Sequence, residues 1–74
     1  MKELPIRTEY IRLSDALKLS GAVSTGGHAK IVIAAGEVKA GGEICTQRGK
    51  KLYPGDGFAY AGTSFRVVKP PPPE

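Results

Sequence analysis

The sequence predicts an α+β domain in which two short helices pack on one side of a small, mostly antiparallel sheet. Three observations carry this reading. Residues 14–36 hold two short helical stretches, each with a hydroxyl residue ahead of it and a glycine behind. After Gly36 the apolar spacing changes from helical to alternating. Turn signals at Gly41-Gly42, at Tyr53-Pro54-Gly55-Asp56 and at Ala61-Gly62 then cut the rest of the chain into short strands, for an order β-α-α-β-β-β-β.

The first strand is expected at Tyr10 to Leu13, where Ile11 and Leu13 alternate with Tyr10 and Arg12. Residues 1–8 precede it as an arm, made partly irregular by Pro5, and are set apart from the domain proper. Ser14 is the expected N-cap of a first helix over Asp15 to Ser20, with Gly21 in the left-handed position that ends it. Ser24 is the expected cap of a second helix over His28 to Ala35, closed by Gly36, with Ala29, Val32 and Ile33 on its buried face.

Val38 and Ala40 alternate with Glu37 and Lys39, and Gly41-Gly42 suits a type I′ turn into a strand over Glu43 to Thr46. Gln47 to Lys51 reads as a polar, basic connection. A last hairpin pairs Gly57 to Tyr60 with Thr63 to Val68, with Phe58 and Tyr60 on one face of its first strand and Phe65 and Val67 on one face of its second. The domain is thus expected over residues 9–68, followed by an unstructured proline-rich tail over residues 69–74.

A chain of 74 residues with no Trp, three Tyr and two Phe forms one domain with a thin, mainly aliphatic core and little room for an enclosed pocket. Cys45 stands alone, and no stretch reads as a secretory leader or a membrane span, so the expectation is a cytoplasmic protein with no membrane partner. A single cysteine and a single histidine, His28, supply neither a metal cluster nor a Cys/His nucleophilic pair, and Ser14 and Ser24 have no base in sight. The glycines near Thr25 lack the spacing of a nucleotide-phosphate loop. No catalytic residue, cofactor or metal is expected.

The position of the charges is more informative than their total. The formal net charge is +4, and between Lys39 and Lys51 the cations Lys39, Arg48, Lys50 and Lys51 face Glu43 alone, which places +3 of it there. Ser24, Thr25, Gly26 and Gly27 stand at the expected amino end of the second helix, where free N–H groups favour a phosphate, and Lys30 leans back over that opening. Arg12 adds a cation at the end of the first strand. Tyr10 is expected to pack across strands rather than to stack on a base, and Tyr53 and Tyr60 to sit in the core or at its rim.

Taken in order, Arg12-Leu13, Leu17, Gly21, Ser24, Ala29, Ile33, Gly36-Glu37-Val38-Lys39-Ala40-Gly41-Gly42 and Pro54-Gly55-Asp56 resemble the RNA-binding domain of the ribosomal protein S4 type, with its αL motif. Thr25-Gly26-Gly27-x-Ala29-Lys30 and Thr46-Gln47-Arg48-Gly49-Lys50-Lys51 are similar to the small bacterial proteins built from this domain and little else. The resemblance implies non-catalytic binding of a structured RNA, ribosomal or transfer RNA, or of a ribosomal subunit, through Arg12, Ser24, Thr25, Gly26, Gly27, Lys30, Lys39, Arg48, Lys50 and Lys51. Two positions depart from the family pattern. Gly41 replaces the Asn usual before the hairpin glycine, and Thr25 replaces an Arg common after the cap serine, which implies a weaker grip on RNA. A second reading of the same basic strip is a protein-interaction or ribosome-assembly module that meets an acidic protein. The number of copies in the working particle is left open.

Overall fold

A computed structural model describes residues 2–70 of the chain. Two helices, α1 (Leu13–Leu19) and α2 (Gly26–Ala34), share one apolar core with a five-stranded sheet of β1 (Lys2–Pro5), β3 (Val38–Ala40), β4 (Glu43–Ile44), β6 (Gly57–Tyr60) and β7 (Thr63–Val68). The strand order is β1-β7-β6-β3-β4, and a separate two-stranded ribbon pairs β2 (Ile11–Arg12) with β5 (Lys51–Leu52). The α+β class and the helix pair on a mostly antiparallel sheet are therefore as the sequence predicts. Only the β1–β7 pair is parallel within the five-stranded sheet.

The alternation read from the sequence sorts the two sheet faces. Ala40, Phe58 and Phe65 lie side by side across β3, β6 and β7, all buried, and the two Phe rings stack at 4.9 Å between centroids. Val38, Val67 and Leu4 fill the same face beneath Leu13, Ala16 and Leu17 of α1 and Ala29, Val32 and Ile33 of α2. Tyr60 packs against this core as a half-buried rim residue. Lys39, Ala59 and Ser64 occupy the opposite face.

Four expectations are corrected. The amino-terminal arm is not outside the sheet: Lys2 to Pro5 runs parallel to Phe65 to Val68, and the amide of Ile6 donates to the Val68 carbonyl at 2.9 Å. Leu4 and Ile6 are buried by this arrangement, and Pro5, which lacks an N–H, is tolerated because β1 is an edge strand. The basic connection is not wholly irregular, because Lys51 and Leu52 form β5 opposite Arg12 and Ile11. The first helix begins at Leu13 and takes no cap from Ser14, and the second begins at Gly26 with Thr25, not Ser24, as its N-cap. The strands expected at Tyr10 to Leu13 and Glu43 to Thr46 shorten to Ile11–Arg12 and Glu43–Ile44, although the Cys45 amide still donates to the Val38 carbonyl at 2.9 Å. Of the expected proline tail, Lys69 and Pro70 have no regular structure, and residues 71–74 lie outside the described residues.

Gly41 and Gly42 have φ of 62° and 86°, the positive pair that a type I′ turn requires. The second tight hairpin has a similar pair at Ala61 (53°) and Gly62 (80°), and Ala61 pays the Cβ–carbonyl crowding that glycine escapes. Replacing Ala61→Asn, which tolerates this conformation, should raise stability by roughly 0.5–1 kcal/mol. Urea denaturation of both proteins checks it, and an unchanged or lower midpoint would show that the turn is not strained.

Candidate nucleic-acid interface

The basic residues are organised by the amino end of α1. A helix of seven residues has too few internal hydrogen bonds to stand alone, and its first amides need acceptors. The N-cap position is Arg12, whose side chain makes no capping bond. The acceptors come from the distant loop instead: the Leu13 amide donates to the Lys50 carbonyl at 2.9 Å and the Ser14 amide to the Arg48 carbonyl at 3.1 Å. The same loop is closed on itself by a bond from the Lys50 amide to the Gln47 carbonyl at 3.2 Å. Its backbone is thus bonded down on α1, and the Arg48, Lys50 and Lys51 side chains are left exposed.

Arg12 joins them directly. It lies opposite Lys51 in the β2–β5 ribbon, and both side chains are exposed. The Lys51 ammonium sits 4.9 Å from the centroid of the Tyr10 ring, a cation–π distance. Arg12, Arg48, Lys50 and Lys51, from two separated parts of the sequence, therefore form one cationic cluster around the start of α1. Charge density in the sequence singles out Arg48, Lys50 and Lys51, but the carbonyl clamp that brings them beside Arg12 has no side-chain signature.

The other predicted residues fall elsewhere. Lys39 lies on the outward face of β3, flanked by Ile44 of β4 and Ala59 of β6, away from the core. At the start of α2, Thr25 is extended and its hydroxyl accepts from the His28 amide at 3.0 Å. Gly26 and Gly27 form the first turn that follows, and their amides have no acceptor within the helix. A Cβ on Gly26 would meet nothing within 4 Å, and one on Gly27 only the Thr25 hydroxyl at 3.9 Å, so this backbone is open to a close approach. Ser24 and Lys30 are exposed beside it. The site thus has three parts: the α1 cluster, the open α2 end and Lys39 on the sheet.

The tyrosines divide as well. Tyr10 is half-buried and packs on Tyr53 across the ribbon's end, with ring centroids 5.7 Å apart. Tyr53 is 43% exposed, more open than a core or rim residue. His28 is exposed and Cys45 half-buried, with its thiol 3.7 Å from the Gln47 carbonyl. Among the described residues, no group of three or more His, Cys, Asp or Glu is placed to hold a metal, and no helix is long and apolar enough to cross a membrane.

A helix pair on a small sheet with a clamped basic loop defines the class: an αL-type domain with a cationic surface. Residues 4–68 match the family model of the S4 domain, and the chain belongs to that family. It is 41% identical over 59 residues to YbcJ of Escherichia coli strain K12, provisionally named an RNA-binding protein, covering 80% of this chain and 84% of that one. It is 41% identical over 66 residues to RlbA of Bacillus subtilis strain 168, provisionally named a ribosome maturation protein, covering 88% and 93%. The solution structure of E. coli YbcJ, described as revealing an αL motif involved in RNA binding, superposes with a TM-score of 0.65 at 37% identity, over 90% of this chain and 84% of that one.

The cap assignment at α2 is testable by substitution. Thr25→Ala should destabilise the protein by about 1 kcal/mol, whereas Ser24→Ala should stay within about 0.5 kcal/mol of the parent. Thermal or urea unfolding of the two variants checks this, and equal losses would show that both hydroxyls cap.

Proposed function

We propose that this chain binds structured RNA without catalysing a reaction on it, and that the α1 cluster of Arg12, Arg48, Lys50 and Lys51 supplies the main electrostatic contact. The observation that carries the reading is the clamp: loop carbonyls satisfy the α1 amides, so the cations project from a fixed backbone. A positive helix end surrounded by cations is unfavourable in the free protein and becomes favourable when a polyanion arrives. The open α2 end, with Ser24, Thr25, Gly26, Gly27 and Lys30, and Lys39 on the sheet are proposed as further phosphate contacts. The proposed binding unit runs from β1 to β7.

Folded RNA presents phosphates and 2′-hydroxyls in a fixed geometry, and cations carried on a hydrogen-bonded backbone suit it better than cations on a flexible loop. Ribosomal RNA is the favoured partner, and the relative named for ribosome maturation supports this choice. Transfer RNA offers similar helical surfaces and is the comparison to make. Such a partner implies a cytoplasmic protein.

If three to five phosphates are neutralised, the logarithm of the binding constant should fall with the logarithm of salt concentration at a slope of about −2 to −4. Titration of a ribosomal RNA fragment over a range of potassium chloride concentrations measures it, and a salt-independent constant would exclude phosphate docking. Lys50→Glu combined with Lys51→Glu should abolish retention of that RNA. The thermal midpoint should fall by no more than about 8 °C, the worth of the lost Lys51–Tyr10 contact in a domain of this size. Normal retention by a folded double variant would sink the α1 cluster as the binding surface. Survival of native protein partners after ribonuclease treatment would favour a protein-interaction module instead.

A further inference from the structure

We propose that Tyr53 is a stacking platform for one unpaired base of the bound RNA, so that the protein recognises a junction between a helix and a single strand. This rests on the RNA-binding reading above and narrows its substrate class.

Tyr53 borders an open groove of about 750 Å3 between the segment Ile6 to Glu9 and the segment Lys69 to Pro70. Among the described residues it is the only aromatic in the group of exposed large hydrophobic side chains. Its backbone is held firmly. The Tyr53 amide donates to the Asp56 carboxylate at 2.8 Å, and the Asp56 amide returns a bond to the Tyr53 carbonyl at 2.8 Å. The Gly55 amide then ties this turn to the Val67 carbonyl of β7 at 2.7 Å. A ring on so constrained a turn loses little conformational freedom when it takes up a flat partner.

The surroundings select the partner. Behind Tyr53 stands Tyr10, whose ring carries the Lys51 ammonium, and Lys51 lies opposite Arg12 in the ribbon. The aromatic pair is therefore continuous with the α1 cluster. On the groove side Arg7 and Lys69 line the walls against the single acid Glu9, an excess of positive charge suited to the phosphates on either side of a stacked base. A base against Tyr53 with its strand leading toward Lys51 and Arg12 satisfies both features, which a fully paired helix does not, because its bases are not free to stack on a side chain.

The test uses the full chain, its Tyr53→Phe and Tyr53→Leu variants, and two RNA probes. One is a short blunt-ended hairpin whose loop is a non-nucleotide linker, so that every base is paired, and the other is the same hairpin with a short single-stranded extension, placed at each end in turn and carrying 2-aminopurine. The unaltered protein should bind an extended hairpin more tightly than the blunt one and quench the 2-aminopurine. Tyr53→Phe, which keeps the ring, should do the same. Tyr53→Leu should lose roughly five- to fifty-fold on the extended hairpin, lose the quenching, and keep its affinity for the blunt one. Circular dichroism establishes that each variant is folded. If the extension adds nothing at either end, or if Tyr53→Leu binds and quenches like the parent, the stacking site is overturned while the RNA-binding reading stands. If the unaltered protein binds neither hairpin, that reading falls and this inference falls with it.

Discussion

The arrangement of the cationic surface depends on two hydrogen bonds that join parts of the chain far apart in sequence, from the Leu13 and Ser14 amides to the Lys50 and Arg48 carbonyls. Without them a seven-residue helix would begin with unsatisfied donors at a boundary where Leu13 is fully buried. With them, the helix is started by the loop and the loop is held by the helix. The adjacent β2–β5 pairing continues the same junction and seats Leu52, 1% exposed, in the core. One local solution therefore closes the core and orders the basic residues.

The junction also carries an electrostatic cost. Cations at the positive end of a helix cost a few tenths of a kcal/mol to about 1 kcal/mol each at an exposed site, and four gather there. Asp15, in the first turn of α1, offsets only part of this. Under the proposed function, this locally unfavourable pattern on a hydrogen-bonded backbone is the one expected when a site is built for a ligand of opposite charge. The α1 amides are already used, so an anion near α1 would meet side chains. At α2 the reverse holds, since Gly26 and Gly27 leave their amides open.

How much of this the sequence discloses depends on range. The apolar positions of α2, the Gly41-Gly42 turn and the inward Phe58 and Phe65 follow from periodicity and turn chemistry within a few residues, and they are found where expected. The cap of α2 is displaced by one residue because Ser24 and Thr25 can both accept at an N-cap, and it is Thr25, in extended backbone, whose hydroxyl takes the His28 amide. The start of α1 is hidden because its acceptors lie more than thirty residues away. β1 is invisible for a related reason: it pairs with the last strand of the sheet, and Pro5 argues locally against a strand that its edge position permits. β5 is masked by the basic run that it terminates. In the candidate site, the charge-dense run of Arg48, Lys50 and Lys51 is legible in the sequence, and its apposition to Arg12 at the start of α1 is not.

The same distinction bears on what the surface can read in a nucleic acid. Among the described residues no polar or charged side chain is buried, and the cations are exposed. Long exposed side chains place charge approximately, whereas reading base edges needs donors and acceptors fixed by their surroundings. The rigid features here are backbone ones: the clamped loop, the open start of α2 and the Tyr53–Asp56 turn. In the complex proposed above, such a surface discriminates by where phosphates lie and by whether a base is free, not by which base it is. Its selectivity should then come from the shape of the RNA, with charge supplying affinity.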